Sequence, residues 1–226
     1  MKLSKRWLAV VVILVSLLLT ASACPGPEES PETPAEAGLG DLRNDLGEDG
    51  RYTIETTIPG ENITLAMAYS TDYDTESWRI TDSKTLRFEV ELIDGPETMD
   101  VFIEHVHVDV NIQADRAVLD GLPQDSMDDS LHSGTQPGFL ISRQYPYEEV
   151  FSIEGYSDTL ISGWGFVTGT YGSSELSEER LTEENLRDEG RAHSNKFTFI
   201  YDVVIGNEEQ GYHKRIVVNE FRVPLG

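Results

Sequence analysis

Val101-Phe-Ile-Glu-His-Val-His-Val-Asp-Val-Asn-Ile112 is the stretch whose reading decides the fold. Val106, Val108, Val110 and Ile112 share one parity, and His105, His107, Asp109 and Asn111 share the other. Successive side chains of a strand point to opposite faces, so the stretch predicts a long strand with one dry side and one wet side. Val101 and Ile103 sit on the polar parity, which predicts a bulge near Glu104.

The same period-two rhythm recurs on both sides. Tyr52, Ile54 and Ile58 alternate with polar residues until the Pro59-Gly60 turn. Ile63, Leu65, Met67 and Tyr69 form a second set, and Leu86, Phe88, Val90 and Leu92 a third. Phe139 to Ser142, Glu149 to Ile153 and the glycine-broken Leu160 to Tyr171 read as shorter strands. Lys196 to Ile205 and Tyr212 to Val223 read as a long hairpin across the turn from Gly206 to Gly211. Gln113 to Pro137, rich in Asp, Ser and Gly, reads as a long loop. One helical insert near 174–189 breaks the pattern. There Ser177 and Thr182 are candidate caps, and leucines at 176, 181 and 186 are too widely spaced for one apolar face.

Half-buried strands without βαβ spacing point to an all-β fold. The expectation is an antiparallel β-sandwich over residues 38–226, immunoglobulin-like or jelly-roll-like, with one short helical insert. Strand rhythm alone leaves those two topologies open.

His105, His107 and Asp109 carry the sharpest chemical signal. Two imidazoles and a carboxylate on one strand face suit zinc or copper, with His132 a candidate further ligand. The spacing resembles the His-x-His-x-Asp opening of the metallo-β-lactamase motif, but Val110 stands where that family has its next histidine. A solvated polar strand face is the competing expectation. Asp125, Asp128 and Asp129, beside His132, form a second cluster whose oxygens suit calcium if the segment is a loop. Asp72, Asp74 and Glu76 mimic the opening of an EF-hand loop. Ser77 and Ser83 replace its required glycine and glutamate, which excludes that motif.

Trp164, Phe166 and Tyr171 among glycines form a candidate platform for a glycan or peptide. Trp78, Tyr145 and Tyr147 are candidate additions, unless the tryptophans are core residues packed between sheets. No Gly-x-Ser-x-Gly elbow and no phosphate-binding glycine loop appears, so the sequence leans away from catalysis.

The chain begins with Lys2, Lys5 and Arg6, then the apolar run Trp7 to Leu19, then Ala21-Ser22-Ala23-Cys24. A basic start, a short apolar stretch and small residues make a secretory signal. Cys24 is the sole cysteine. The last four residues resemble the lipobox of bacterial lipoproteins, with Ala21 where that family prefers leucine. The resemblance implies removal of residues 1–23, lipid on Cys24, and an exported protein anchored at the cell membrane or outer membrane. Residues 24–37, with prolines at 25, 27, 31 and 34 and glutamates at 28, 29, 32 and 36, read as an extended tether. Loss of the leader's three basic residues would take the formal charge from −24 to −27. Nucleic acid is a poor partner for such a surface. The sequence thus points to an outward-facing, membrane-anchored lipoprotein that binds or scaffolds a protein or glycan partner. The alternative is a metal-binding lipoprotein, through a transition metal or calcium.

Overall fold

The computed structural model describes residues 42–115, 119–157, 183–188 and 191–226. The leader, Cys24, the tether, the Leu160–Tyr171 segment and most of the insert lie outside them, as do Trp164, Phe166 and Tyr171. The strands are β1 (Arg51–Ile58), β2 (Ile63–Ser70), β3 (Lys84–Asp94), β4 (Asp100–Ala114), β5 (Leu122–Ser130), β6 (Phe139–Leu140), β7 (Tyr147–Ile153), β8 (Ala192–Asn207) and β9 (Gly211–Pro224). Within the insert, Glu183–Asp188 forms a short helix, α1.

Two antiparallel sheets pack face to face. One runs β1-β2-β3-β7, the other β5-β4-β8-β9, with β6 paired to β4. Without β1, the order β2-β3-β7 against β5-β4-β8-β9 is that of strands A-B-E against C′-C-F-G in immunoglobulin-like sandwiches. β1 is an added edge strand. This topology decides between the two sandwich types that the rhythm left open.

The dry parities meet between the sheets. Val106, Val108, Val110 and Ile112 of β4 and Phe197, Phe199, Tyr201 and Val203 of β8 are buried. Opposite them lie Leu65, Met67, Tyr69, Leu86, Phe88 and Phe151. Tyr69 sits 4.6 Å from Phe199 and 4.9 Å from Phe221, centroid to centroid. Its hydroxyl meets that of Tyr201 at 3.1 Å and accepts from Asn219 at 3.1 Å, so the polar tips buried in the core satisfy one another. The expected bulge is present, as a register shift between Ile103 and His105. Gly138 lies against it: a Cβ there would stand 2.2 Å from the Ile103 carbonyl oxygen, so only glycine lets β6 approach.

The loop expected from Gln113 to Pro137 is corrected. Its middle is β5, paired with β4 from His105–Ser130 to Ile112–Leu122. β5 reads Leu-Pro-Gln-Asp-Ser-Met-Asp-Asp-Ser and is an edge strand whose two faces are both polar, so no alternation announces it. Trp78 and Tyr147 are core residues, 1 % and 4 % exposed, and Trp78 donates its indole N–H to Asn195 at 2.8 Å. They therefore drop out of a binding platform. Tyr145 stays exposed. Asp74 caps the 3₁₀ turn Thr75–Ser77, accepting from the Glu76 amide at 3.0 Å.

Candidate functional site

The outer face of the β5-β4-β8-β9 sheet collects the polar parity of the opening stretch. Register fixes its rows. His105 lies beside Asp202 of β8, which lies beside Ile216 of β9; His107 beside Ile200 and Val218; Asp109 beside Thr198 and Glu220. On the other side, Asp128 of β5 is directly opposite His107.

Asp128 joins the two imidazoles. His105 Nε2 is 2.8 Å from its Oδ1, and His107 Nδ1 is 3.2 Å from its Oδ2. The far nitrogen of His107, Nε2, is 3.0 Å from Asp109 Oδ2. The far nitrogen of His105, Nδ1, is 3.9 Å from Asp202 Oδ2. Lys214 reaches Asp202 at 3.1 Å and also pairs with Glu104. The side chains of His105 and His107 are 28 % and 29 % exposed, against 69 % for Asp128. Partial burial alone would lower the His107 pKa, but the bonds to Asp109 and Asp128 outweigh it and the net shift is upward. The bonds from His105, then from His107, hold the Asp128 carboxyl below its usual range.

The structure thus brings His105, His107 and Asp109 together, adds Asp128, and leaves the other candidates elsewhere. His132 is exposed just beyond β5 and makes no bond to this group among the described residues. The three aspartates that a calcium loop would gather lie on a strand, where neighbours diverge. Asp129 and Asp125 oppose Val106 and Val110, so they turn inward while Asp128 turns out. Asp125 accepts from the Glu154 amide at 2.7 Å, and Asp129 from the Tyr147 hydroxyl at 3.4 Å. These two bind the edge strand to the facing sheet. Among the described residues, no group of three or more His, Cys, Asp or Glu side chains is placed so that it could hold a metal ion.

Sequence reading assigned Asp128 to the wrong partners, because only the β4–β5 register sets it against His107. It missed a second feature of this face altogether. Ile216 and Val218 are 66 % and 51 % exposed, beside the half-buried Ile200. Toward one end, Leu140 and Tyr212 are also exposed, and Tyr212 stacks edgewise on Phe102 at 5.8 Å. The alternation of β9 alone could have located it, since Ile216 and Val218 lie on the parity opposite to buried Val217 and Phe221.

No protein-family model matches the chain, and no curated protein does. Solved structures give faint likenesses. An X-ray structure of Northeast Structural Genomics Consortium target SoR45 is 10 % identical, covers 74 % of this chain and 88 % of its own, and has a TM-score of 0.35. A crystal structure of a protein from Archaeoglobus fulgidus is 8 % identical over 77 % of this chain and 94 % of its own, at 0.27. A solution structure of an Arabidopsis thaliana protein is 10 % identical over 76 % and 82 %, at 0.28. The chain is similar to these at low identity and low TM-score, and its architecture stands on its own strand register.

Proposed function

We propose that this chain is an exported, lipid-anchored binding module without chemistry of its own, whose interaction face is the outer surface of the β5-β4-β8-β9 sheet. The observation that carries this reading is the exposure of Ile216 and Val218 on a face that the core does not need. A sandwich buries one side of each sheet, and large aliphatic side chains on the other side add nothing to folding. Asp109, Asp128, Asp202 and Glu220 flank the apolar strip. The rim is charge-paired, with Lys196 on Glu220 at 2.7 Å and Lys214 on Asp202 at 3.1 Å, and an apolar centre inside such a polar rim fits a protein partner that presents apolar side chains. The leader, Cys24 and the proline- and glutamate-rich tether support the reading as an exported, anchored protein, because a basic start, a short apolar run and a cysteine after small residues are what a lipidated leader needs.

A photoreactive amino acid placed at Val218 in the anchored protein tests the reading, with Glu55, exposed on the opposite sheet, as the control position. The expected result is a discrete cross-linked adduct from 218, absent from 55, and abolished by Ile216→Asp. Equal adducts from both positions, or none from 218, would count against this face as the interaction surface.

A further inference from the structure

The two edges of the β5-β4-β8-β9 sheet are built differently. β5 carries what keeps an edge from pairing: Pro123 without an N–H, a register shift against β4 at Val110–Asn111, and Asp125 and Asp129 pointing inward. β9 has 14 residues in unbroken register with β8, and its proline stands only at the end. The Asp45 amide donates to the Arg222 carbonyl at 3.0 Å, and the Arg222 amide donates to the Asp45 carboxylate at 2.8 Å. Both backbone groups of Arg222 therefore point away from β8. In an antiparallel ladder this direction repeats at every second residue, so Glu220, Val218, Ile216, Lys214 and Tyr212 point the same way. Among the described residues, none of these five makes a backbone-to-backbone bond on that side. The Lys214 carbonyl receives a long contact from the Arg215 guanidinium, at 3.5 Å. Past the Asp45 cap, the edge is an open row of donors and acceptors.

We infer that β9 pairs with β9 of a second copy of this chain, antiparallel across a two-fold axis beside Val217, so that two sheets become one. A two-fold axis makes identical strands antiparallel, and a ladder forms when outward-pointing residues oppose one another. The side chains then choose the register. Centred on Val217, Lys214 opposes the partner's Glu220 and Ile216 opposes the partner's Val218, each twice over. Opposite charges and paired β-branched residues are the favourable cross-strand matches. Centred on Val218, Ile216 would oppose glutamate; centred on Ile216, Lys214 would oppose valine. Lys214 and Glu220 keep Asp202 and Lys196 within their own sheet, and their side chains are 48 % and 50 % exposed, open to a second contact. The Asp45 cap on Arg222 ends the ladder just beyond Glu220. The pair closes at two copies, because both remaining edges of the joined sheet are the protected β5. The inference does not rest on the proposed partner face: pairing uses the backbone edge of β9 and leaves the outer face uncovered.

The test is sedimentation velocity of the full chain in mild detergent, at ~150 mM salt so that the repulsion between two acidic chains is screened. The expected result is a monomer–dimer equilibrium with a Kd below ~100 μM, in the range of a small interface. Lys214→Glu and Glu220→Lys should each weaken it ~10-fold or more, since each sets like charges opposite one another at two places. An equimolar mixture of these two variants should recover the dimer, because every opposed pair in the mixed species is again of unlike charge. Val218→Pro should abolish pairing, as it removes an outward N–H and leaves the bonds to β8 intact. Circular dichroism melts of each variant establish that it is folded; should Val218→Pro unfold, the mixture decides alone. All variants carry the same leader, so association through the leader would survive every one of them. The inference is overturned if the parent stays monomeric to ~200 μM, beyond the range of weak specific interfaces. It is also overturned if the mixture associates no better than either variant alone, or if a folded Val218→Pro chain still pairs as the parent does.

Discussion

Lys84 shows how far parity can be trusted over residue type. It shares the face of Leu86 and Phe88, and the structure buries it to 4 % exposure with its ammonium on the carbonyls of Arg79 and Asp82. The rings of Trp78 and Tyr73 cover it at 4.9 and 5.5 Å. Burial pulls its pKa down to about 8, against the opposing pull of Asp82 and Glu183. An unfolded lysine titrates near 10.4, so between pH 8 and about 10 the folded chain has released a proton that the unfolded chain keeps. The unfolded state binds more protons there, and stability should rise with pH, by at most about 1.4 kcal/mol per unit. As pH approaches 10 the slope should reverse, because burial raises Tyr69, Tyr73, Tyr147, Tyr156, Tyr201 and Tyr212 and the unfolded tyrosines ionise first. Urea unfolding at pH 7.5, 8.0 and 8.5, below the range where unfolded tyrosines ionise, should show a steeper rise in the parent than in Lys84→Met. A parent profile as flat as the variant's would mean that the ammonium stays charged in the fold. The alternating set read from the sequence begins at Leu86 and stops short of Lys84, and the carbonyl cage comes from the loop before β3, which no periodicity describes. Trp78 was legible as a core candidate for a simpler reason: an indole is too large to leave unpacked.

The hairpin of β8 and β9 and the long strand β4 were legible within a few residues, because each buries a continuous apolar parity. β5 was not. Its inward positions are occupied by Asp125, Met127 and Asp129, and edge strands tolerate charge there. The consequence reached the site, since the strand that supplies Asp128 read as a loop and its three aspartates as one cluster. Alternation now divides their roles, and the division is measurable. Asp125→Ala removes the acceptor of the Glu154 amide and should destabilise the fold by about 1–2 kcal/mol in urea unfolding. Asp128→Ala breaks only exposed pairs and should leave the unfolding midpoint in place. Reversed effects would mean that the β4–β5 register is shifted by one residue, which would exchange the faces.

Across the whole molecule, charge and construction point the same way. The formal charge of −24 is +3 on the leader and −27 on the rest, an acidic excess that turns the chain away from polyanions. The sandwich order leaves the outer face of the β5-β4-β8-β9 sheet uncovered by the other sheet, and the proposed reading makes that face the interaction surface. The leader is read from composition and one cysteine alone, and it lies outside the described residues. The apolar strip is a mixed case: the parity of Ile216 and Val218 was there to be read on β9, but their neighbours Asp202 and Ile200 follow only from the register of β8 beside β9. The measurement to make first is the intact mass of the chain recovered from the membranes of a bacterial host. The expected species begins at Cys24 and carries lipid mass on that residue, and Cys24→Ser should move the protein out of the lipidated membrane form. A chain that retains its leader, or one cut elsewhere with Cys24 unmodified, would contradict lipid anchoring.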